Sequence, residues 1–247
     1  MRLSERLRMV AGMVPHCNAV ADVGCDHAYL SVWLLREGIA SYAYACDVRP
    51  GPLSKAAETI RFFHMGERAT TVLCDGLSGL SPGDASVIVM AGMGGELMTR
   101  LLADGDACVQ AAGCLVLQPQ SDRESVRRRV YAAGFVITDE QCVFEDGKYY
   151  TCFQALPRSA LNGGATPAVT VADPHWDVPY EPAEYRYGRI PALKKDMTYL
   201  AWLTEECEKK TAMVERLAAA DTVLASERLP GAAAELAEIA GVIRRFL

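Results

Sequence analysis

Long apolar runs are missing from this chain of 247 residues, because no window reaches the ~18 uninterrupted apolar residues that a membrane-spanning helix needs. The N-terminus also lacks a basic segment followed by an apolar stretch, so a secretory signal is not expected. Residues 1–8 are instead typical of a charged amphipathic helix. We therefore expect a cytoplasmic protein with no membrane partner.

Closely spaced cysteines and an excess of positive charge are absent as well. The nine cysteines form no Cys-x-x-Cys pair, so free thiols are expected rather than disulfides or a bound metal. The formal net charge is −6, and acidic residues outnumber basic ones both before and after Pro157. This balance argues against a protein that binds nucleic acid over its whole surface, and any such contact must be a local patch.

The first 157 residues alternate short apolar runs with helical segments. The runs end at Gly24, Asp47, Asp75 and Gly92, and several are followed by a helical pattern. This alternation predicts an α/β fold, a Rossmann-like doubly wound and mostly parallel sheet. The turn at residues 145–148 predicts a closing antiparallel hairpin.

The composition changes after Pro157. The next 26 or so residues are rich in Ala, Gly, Thr and Pro and show no period, whereas the rest is helical up to Ser226 and again from Ala232. Leu229-Pro230-Gly231 is predicted to separate the two helices. The expected organisation is an α/β domain (1–157), a linker or loop (158–183) and a coiled-coil-like helical hairpin (184–247).

The segment from Asp22 to His27 connects the first predicted strand to a helix. An Asp-x-Gly strand end lets the backbone approach a ligand closely. The later glycines of Gly-x-Gly-x-x-Gly are missing after Gly24, and Asp22 and Asp26 would repel a pyrophosphate. The two carboxylates instead favour a cationic ligand such as S-adenosylmethionine over NAD. The alternative is a solvated turn with an aspartate helix cap.

Two further acidic residues follow the next two predicted strands. Asp47 is placed to accept hydrogen bonds from ribose hydroxyls, and Asp75 from an adenine amino group. Each has a plainer alternative as a strand-end turn, but a parallel sheet brings all these strand ends together. The expected donor-binding residues are Asp22, Gly24, Asp26, His27, Tyr29, Leu30, Asp47, Val48, Asp75, Gly76, Ala91, Gly92 and Met93.

The fourth predicted strand runs into Ala91-Gly-Met-Gly-Gly95, so backbone rather than side chains borders the site there. The segment lacks the (Asp/Asn)-Pro-Pro-aromatic sequence with which many adenine-N6 methyltransferases bind the amino group. A ring nitrogen with a free lone pair, such as adenine N1, is an easier acceptor, because no proton must leave before attack.

These motifs together resemble the bacterial tRNA (adenine-22-N1)-methyltransferase family. The likeness extends to about residue 156, and the helical hairpin is similar only in pattern. It implies a Rossmann-like methyltransferase domain, S-adenosylmethionine as donor, and N1 of adenine 22 in the tRNA D-arm region as acceptor. Cys25 stands where serine is expected, and residues 158–182 form a longer connector. The resemblance is carried by residues 4–7, 21–30, 75–76, 91–95, 117–120 and 145–150.

The hypothesis assigns roles to several side chains. Asp26 would stabilise the positive charge that attack leaves on the base. His27 would relay a proton or anchor the loop, and the anchor is favoured because N1 attack needs no base. Tyr29 would stack on a base or pack on the sheet. The expected substrate-binding residues are Arg6, Gly94, Gly95, Gln118 and Pro119, and no metal is expected.

Phosphate contacts are the remaining expectation, although a solvated helix face is the favoured alternative for Arg127, Arg128 and Arg129. The candidate phosphate contacts are Arg2, Arg6, Arg8, Arg127, Arg128, Arg129, Arg186, Arg189, Lys194 and Lys195.

Three other functions compete with the tRNA hypothesis. The first is a methyltransferase that acts on a small molecule or protein, which the acidic net charge suits. The second is a non-catalytic donor-binding protein, and the third is an NAD-dependent dehydrogenase. The oligomeric state stays open.

Overall fold

The computed structural model describes residues 1–162, 170–220 and 222–246. Its strands are β1 (Cys17–Val23), β2 (Ala40–Asp47), β3 (Ala69–Leu73), β4 (Val87–Met93), β5 (Cys114–Pro119), β6 (Phe135–Glu145) and β7 (Lys148–Pro157). They form one sheet in the order β3-β2-β1-β4-β5-β7-β6. The first five strands pair in parallel, and β7 runs antiparallel to both of its neighbours. The predicted doubly wound sheet with a closing hairpin is confirmed.

Helices cover both faces of this sheet. Neighbouring residues of β4 alternate between two apolar clusters, because Val87 and Val89 contact one while Ile88 and Met90 contact the other. This explains why the strand is a continuous apolar run. The helices over residues 1–162 are α1 (Glu5–Gly12), α2 (Tyr29–Arg36), α3 (Pro50–Phe62), α4 (Gly95–Asp104), α5 (Asp106–Ala111), α6 (Arg123–Ala132) and α7 (Arg158–Asn162).

The last helices form a hairpin whose turn differs from the sequence prediction. They are α8 (Pro182–Tyr187), α9 (Ile190–Leu193), α10 (Met197–Ala219) and α11 (Val223–Arg244). The expected break at Leu229–Gly231 is wrong, since α11 continues through Pro230. The helix starts where the Thr222 hydroxyl accepts a hydrogen bond from the Ala225 amide. Packing of α11 on α10 outweighs the hydrogen bond that the proline removes.

A buried arginine joins the sheet to the hairpin region, residues 184–247. Arg127 of α6 lies 2.8 Å from the carboxylate of Glu140 on β6, and both side chains are fully buried. Arg127 also donates to the backbone carbonyls of Tyr185 and Arg186, each at 2.9 Å. The proposed phosphate contact of Arg127 is therefore wrong, and so is its alternative as a solvated side chain. These two carbonyls and the Tyr199 hydroxyl, at 3.4 Å, offset the cost of burying the guanidinium.

The described part of the predicted linker packs against the sheet. The Ala172 amide donates to the Thr138 carbonyl at 2.8 Å, and the buried Asp173 lies 3.3 Å from the Arg189 guanidinium. Residues 163–169 of that linker lie outside the described residues. Among the helices that are described, none has the length and apolar character needed to cross a membrane.

Candidate active site

A cavity of about 650 Å³ lies at the carboxyl ends of β1, β2 and β4. The sheet order reverses between β1 and β4, and open α/β sheets bind ligands at such a reversal. The wall is formed by Arg6, Leu7, Asp22, Val23, Gly24, Cys25, Asp26, His27, Tyr29, Leu30, Asp47, Val48, Arg49, Cys74, Asp75, Gly76, Ala91, Gly92, Met93, Leu97, Arg100, Leu101 and Gln120.

The loop after β1 adopts a backbone that is rare for side-chain-bearing residues. The φ angles of Gly24, Asp26 and Ala28 are +74°, +50° and +55°, in the left-handed region. A Cβ on Gly24 would lie 3.2 Å from the methyl carbon of Met93. The Gly24 and Cys25 amides both donate to the Cys46 carbonyl, which fixes the turn against β2. Glycine at this position keeps the cavity open beside the loop.

Asp22 is the most deeply buried carboxylate of the cavity wall. Its side chain accepts a 2.6 Å hydrogen bond from the Ser31 hydroxyl of α2. Burial raises the pKa of Asp22 to about 6, although the Ser31 hydroxyl opposes this shift by stabilising the ionised form. A cationic ligand beside Asp22 would relieve the cost of its charge.

Asp47 ends β2 and is also buried, 6% exposed. One of its oxygens accepts a 2.8 Å hydrogen bond from the Arg49 amide. This bond is the strand-end turn considered for Asp47, and it holds the carboxylate on the cavity wall. The turn therefore places the carboxylate where a ligand can reach it, and the two interpretations are compatible.

Asp75 has a partner that the sequence did not indicate. Both of its carboxylate oxygens accept hydrogen bonds from Arg100 of α4, at 2.9 and 3.2 Å. These hydrogen bonds lower the pKa of Asp75. An adenine amino group would have to share the carboxylate with Arg100, so the donor contact at Asp75 stays a prediction.

Arg6 reaches the cavity from α1, and its guanidinium is held from two sides. It donates to the Gln118 side-chain oxygen at 3.1 Å and lies 5.5 Å from the ring centre of Tyr150. The same Gln118 oxygen accepts the Gly92 amide at 3.1 Å. Gln118 itself is fully buried, so it orients Arg6 and the glycine loop (residues 91–95) from behind the cavity wall.

His27 and Tyr29 stand beside Asp26 at the mouth. Their rings stack with parallel planes and centroids 5.7 Å apart, and His27 Nε2 lies 3.8 Å from an Asp26 oxygen. Tyr29 is 46% exposed, so it does not pack on the sheet, and its ring is accessible to a ligand. Asp26 also projects into solvent at the cavity.

The structure brings all thirteen expected donor-binding residues and Arg6 to one cavity. The other four expected substrate-binding residues, Gly94, Gly95, Gln118 and Pro119, lie outside its wall. Gly94 caps α4, and Gly95 packs against backbone carbonyls of the next loop. Sequence reasoning missed Leu7, Val23, Cys25, Arg49, Cys74, Leu97, Arg100, Leu101 and Gln120. Of these, Gln120 stands in a motif that carried the family resemblance.

Most other basic residues considered for phosphate binding take part in ion pairs. Arg128 pairs with Glu124, Arg129 with Asp106, Arg186 with Glu238, Arg189 with Glu184, and Lys194 with Asp139, at 2.7 to 2.9 Å. Phosphate groups would have to compete with these carboxylates. These five side chains are therefore weaker candidates for phosphate binding than the sequence suggests.

The cavity fits S-adenosylmethionine on two observations. Buried carboxylates suit a ligand that carries an ammonium and a sulfonium, since among the described residues the hydrogen-bond partner of the Asp22 carboxylate is the neutral Ser31 hydroxyl and no cation pairs with it. Glycine backbone at residues 24 and 92 leaves room where a Cβ would approach Met93 or Arg6 within 3.3 Å. Asp22, Gly24, Asp47 and Gly92 are the residues we expect to hold the donor.

Comparisons with known proteins point the same way. A family model described as a methyltransferase domain matches residues 3–153. The tRNA (adenine(22)-N(1))-methyltransferase of Bacillus subtilis (strain 168) is 29% identical over 230 residues, which cover 93% of this chain and 92% of the relative. A crystal structure of the B. subtilis m1A22 tRNA methyltransferase is 28% identical, with a TM-score of 0.81 over 98% of this chain and 99% of that one.

A third comparison includes a bound ligand. Streptococcus pneumoniae Sp1610, a candidate tRNA (m1A22) methyltransferase solved in complex with S-adenosyl-L-methionine, is 25% identical. Its TM-score is 0.81, and the match covers 98% of this chain and 100% of that one. The likeness to both structures extends through the helical hairpin.

Proposed function

The chain belongs to the family defined by this methyltransferase domain, and we propose that it methylates N1 of adenine 22 in tRNA, with S-adenosylmethionine as the methyl donor. The observation that carries this proposal is the cavity itself. Three strand-end carboxylates and the glycine backbone of two loops meet there, with Arg6 on the same wall. The identity of the acceptor, adenine 22 of tRNA, is inferred from the relatives named above.

The bound donor supplies a methyl group that its sulfonium makes electrophilic. Asp22 and Asp47 bind through their carboxylates, which favour cationic and hydroxyl groups respectively. The left-handed backbone at Gly24 lets the loop approach without a Cβ in the way. These residues fix the donor end of the reaction, and their main contribution is orientation.

The acceptor base has to leave its stack to enter the cavity. Adenine N1 carries a lone pair, so no side chain needs to remove a proton first. Gly92 borders the space where the base would lie, and Arg6 is held beside it by Gln118. Alignment of this kind can supply ~7–11 kcal/mol of the barrier reduction.

Methylation at N1 leaves the adenine positively charged, and Asp26 is our candidate for stabilising that charge. Its carboxylate is exposed in the free protein, which weakens its field. A base bound over the mouth would displace water and strengthen the interaction. His27, stacked on Tyr29, then serves to hold the loop.

We place the D-arm region of tRNA across the cavity and the face of the hairpin next to it. The net charge of −6 means that affinity cannot come from charge spread over the surface. Shape and a few local contacts have to supply it, as in other proteins that recognise folded RNA. The same charge favours the competing function, methylation of a small molecule or protein.

Mass spectrometry of nucleosides tests the proposal. The purified protein is incubated with donor and an unmodified tRNA transcript that carries adenine at position 22, and 1-methyladenosine is expected. A transcript with guanine at position 22 is the matched control and should yield none. Equal amounts of 1-methyladenosine from both transcripts would reject position 22 as the methylated position. Methyl transfer to a metabolite panel without any to tRNA would support the competing function instead.

A further inference from the structure

A second cavity, of about 400 Å³, lies between the β6–β7 hairpin and α10. Its wall is formed by Gln120, Gly147, Lys148, Tyr149, Tyr150, Trp202, Glu205, Glu206 and Lys209. The cavity thus lies where the helical hairpin meets the methyltransferase domain. None of its side chains other than Gln120 lines the first cavity.

The two cavities are neighbours. Gln120 lines both of them, and its backbone amide is fixed by a 2.9 Å hydrogen bond to the Met93 carbonyl at the end of β4. Arg6 on the first wall contacts the ring of Tyr150 on the second. A ligand in the second cavity is therefore one or two side chains away from the base being methylated.

The chemistry of the second wall suits a nucleobase. Tyr149 and Tyr150 are partly exposed and offer aromatic surface on which any base can stack, whereas Trp202 is buried beneath the Arg123 guanidinium and backs the wall. Glu205 and Glu206 accept hydrogen bonds and cannot donate them when ionised, so they suit a base edge rich in N–H groups. Lys148 and Lys209 supply positive charge beside them. A phosphate alone would meet as much negative as positive charge here.

We propose that the second cavity binds an unpaired RNA base that neighbours the target adenosine, a proposal that rests on the proposed function. Glu205 and Glu206 contact the hydrogen-bond donors of its Watson–Crick edge. Guanine offers two adjacent donors on that edge and is the base that this pair of carboxylates fits best. The ion pairs of Lys209 to Glu205 and Glu206, at 2.8 and 3.0 Å, hold the carboxylates in place.

Removing one negative charge provides a sharp test, because charge alone and base contact predict opposite results. On a surface without base contacts, Glu206→Gln should strengthen binding of the polyanionic tRNA. Under the proposal it removes an acceptor from the base and raises KM for tRNA by about five- to tenfold. Affinity for the donor, measured by calorimetry, should not change.

Glu208→Gln is the matched control, since Glu208 is an exposed carboxylate on the same helix and lies outside the cavity wall. Its KM for tRNA should equal or fall below that of the wild type. Transcripts with an abasic nucleotide on either side of position 22 complete the test. With one of these transcripts, KM for the wild-type protein should rise, and Glu206→Gln should raise KM no further, as expected for two groups in contact.

Three results would overturn the proposal. Equal KM values for Glu206→Gln and Glu208→Gln would show that charge alone acts here. If the effects of Glu206→Gln and of each abasic transcript on KM were additive, the carboxylate would contact neither neighbouring base. A wild-type protein that forms no 1-methyladenosine would reject the proposed function, and this cavity would lose its RNA ligand with it.

Discussion

Asp22 combines a functional charge with a cost in stability. Its raised pKa of about 6 means that the folded protein without ligand holds its proton more tightly than the unfolded chain, whose aspartate has a pKa near 3.8. The folded state therefore loses stability as pH rises from about 4 to 6. That loss amounts to about 3 kcal/mol once Asp22 is ionised.

We therefore expect Asp22→Asn to be more stable than the wild type at pH 7.5 and to bind the donor poorly. Thermal unfolding should show the stabilisation, and the difference should shrink at pH 4, where Asp22 is protonated. Calorimetry of the wild type should show donor affinity rising with pH through about 6, because the ionised carboxylate attracts the cationic donor. An Asp22→Asn protein with wild-type affinity would contradict this account.

Asp26 differs from Asp22 because it lies in solvent and adopts a left-handed backbone. Asparagine tolerates that backbone as well as aspartate does, so Asp26→Asn removes the charge without new strain. We expect kcat for tRNA methylation to fall about tenfold or more, equivalent to ~1.4 kcal/mol. Donor affinity, measured by calorimetry, should fall much less than kcat. A loss of donor binding with normal kcat would assign Asp26 to the donor instead.

Single residues also show what the sequence could and could not predict. The thirteen positions expected to bind the donor share one cavity because each lies at or soon after the end of a strand of a parallel sheet, and such strand ends share one edge. Arg100 was missed because its contact with Asp75 spans 25 residues of sequence. Arg127 was misjudged because a run of three arginines gives no sign that only its first member points into the core.

Among the secondary-structure elements, α4 controls how the glycine loop meets the sheet. A Cβ on Gly95 would lie 2.6 Å from the Asp122 carbonyl oxygen, and the backbone cannot yield easily there. We expect Gly95→Ala to lower stability by about 1–3 kcal/mol and to weaken donor binding, because Ala91–Gly94 would shift with the helix. Thermal unfolding and calorimetry measure the two effects.

Gly12 at the end of α1 is the control for that substitution. A Cβ there meets no atom within 4 Å, so Gly12→Ala should leave stability and donor affinity near wild-type values or raise stability slightly. If both alanine variants behaved alike, the close approach at Gly95 would not matter for the loop.

The elements also divide into those that local pattern predicts and those that packing decides. Most strands and helices of residues 1–157 were predicted because apolar periodicity agrees with the final packing, whereas the short α5 was not. The predicted C-terminal helical region is present, but the turn of its hairpin was predicted in the wrong place. Thr222 caps α11 and Pro230 lies within the helix, and contact with α10 favours that arrangement.

At the scale of the whole molecule, Arg127 is one of the groups that attach the hairpin region to the sheet, through its hydrogen bonds to residues 185 and 186 and its ion pair with Glu140. Burial raises the pKa of Glu140, and Arg127 only partly offsets this shift. Without Arg127, the ionised Glu140 carboxylate would be buried with no compensating charge. We expect Arg127→Met to lower stability by about 3–5 kcal/mol, since it leaves a buried carboxylate and two carbonyls without a donor. Urea unfolding measures the loss.

Arg127→Met combined with Glu140→Leu is the matched control. Removing both charges should recover part of the lost stability. Equal stability for the single and double variants would contradict the view that the uncompensated carboxylate causes the loss. Deleting residues 184–247 would remove the two carbonyl acceptors of Arg127 and uncover its ion pair with Glu140, so point variants separate RNA contacts from folding better than truncation does.

The acceptors that Arg127 uses in residues 185 and 186 are main-chain oxygens, which every amino acid provides. The hydrogen bonds from Arg127 therefore tolerate substitutions at these two positions as long as the arginine and its carboxylate persist, and such substitutions would remove only the side-chain contacts of Tyr185 and Arg186. The outer part of the molecule is thus free to diversify toward different RNA shapes while its geometry relative to the reaction centre is inherited.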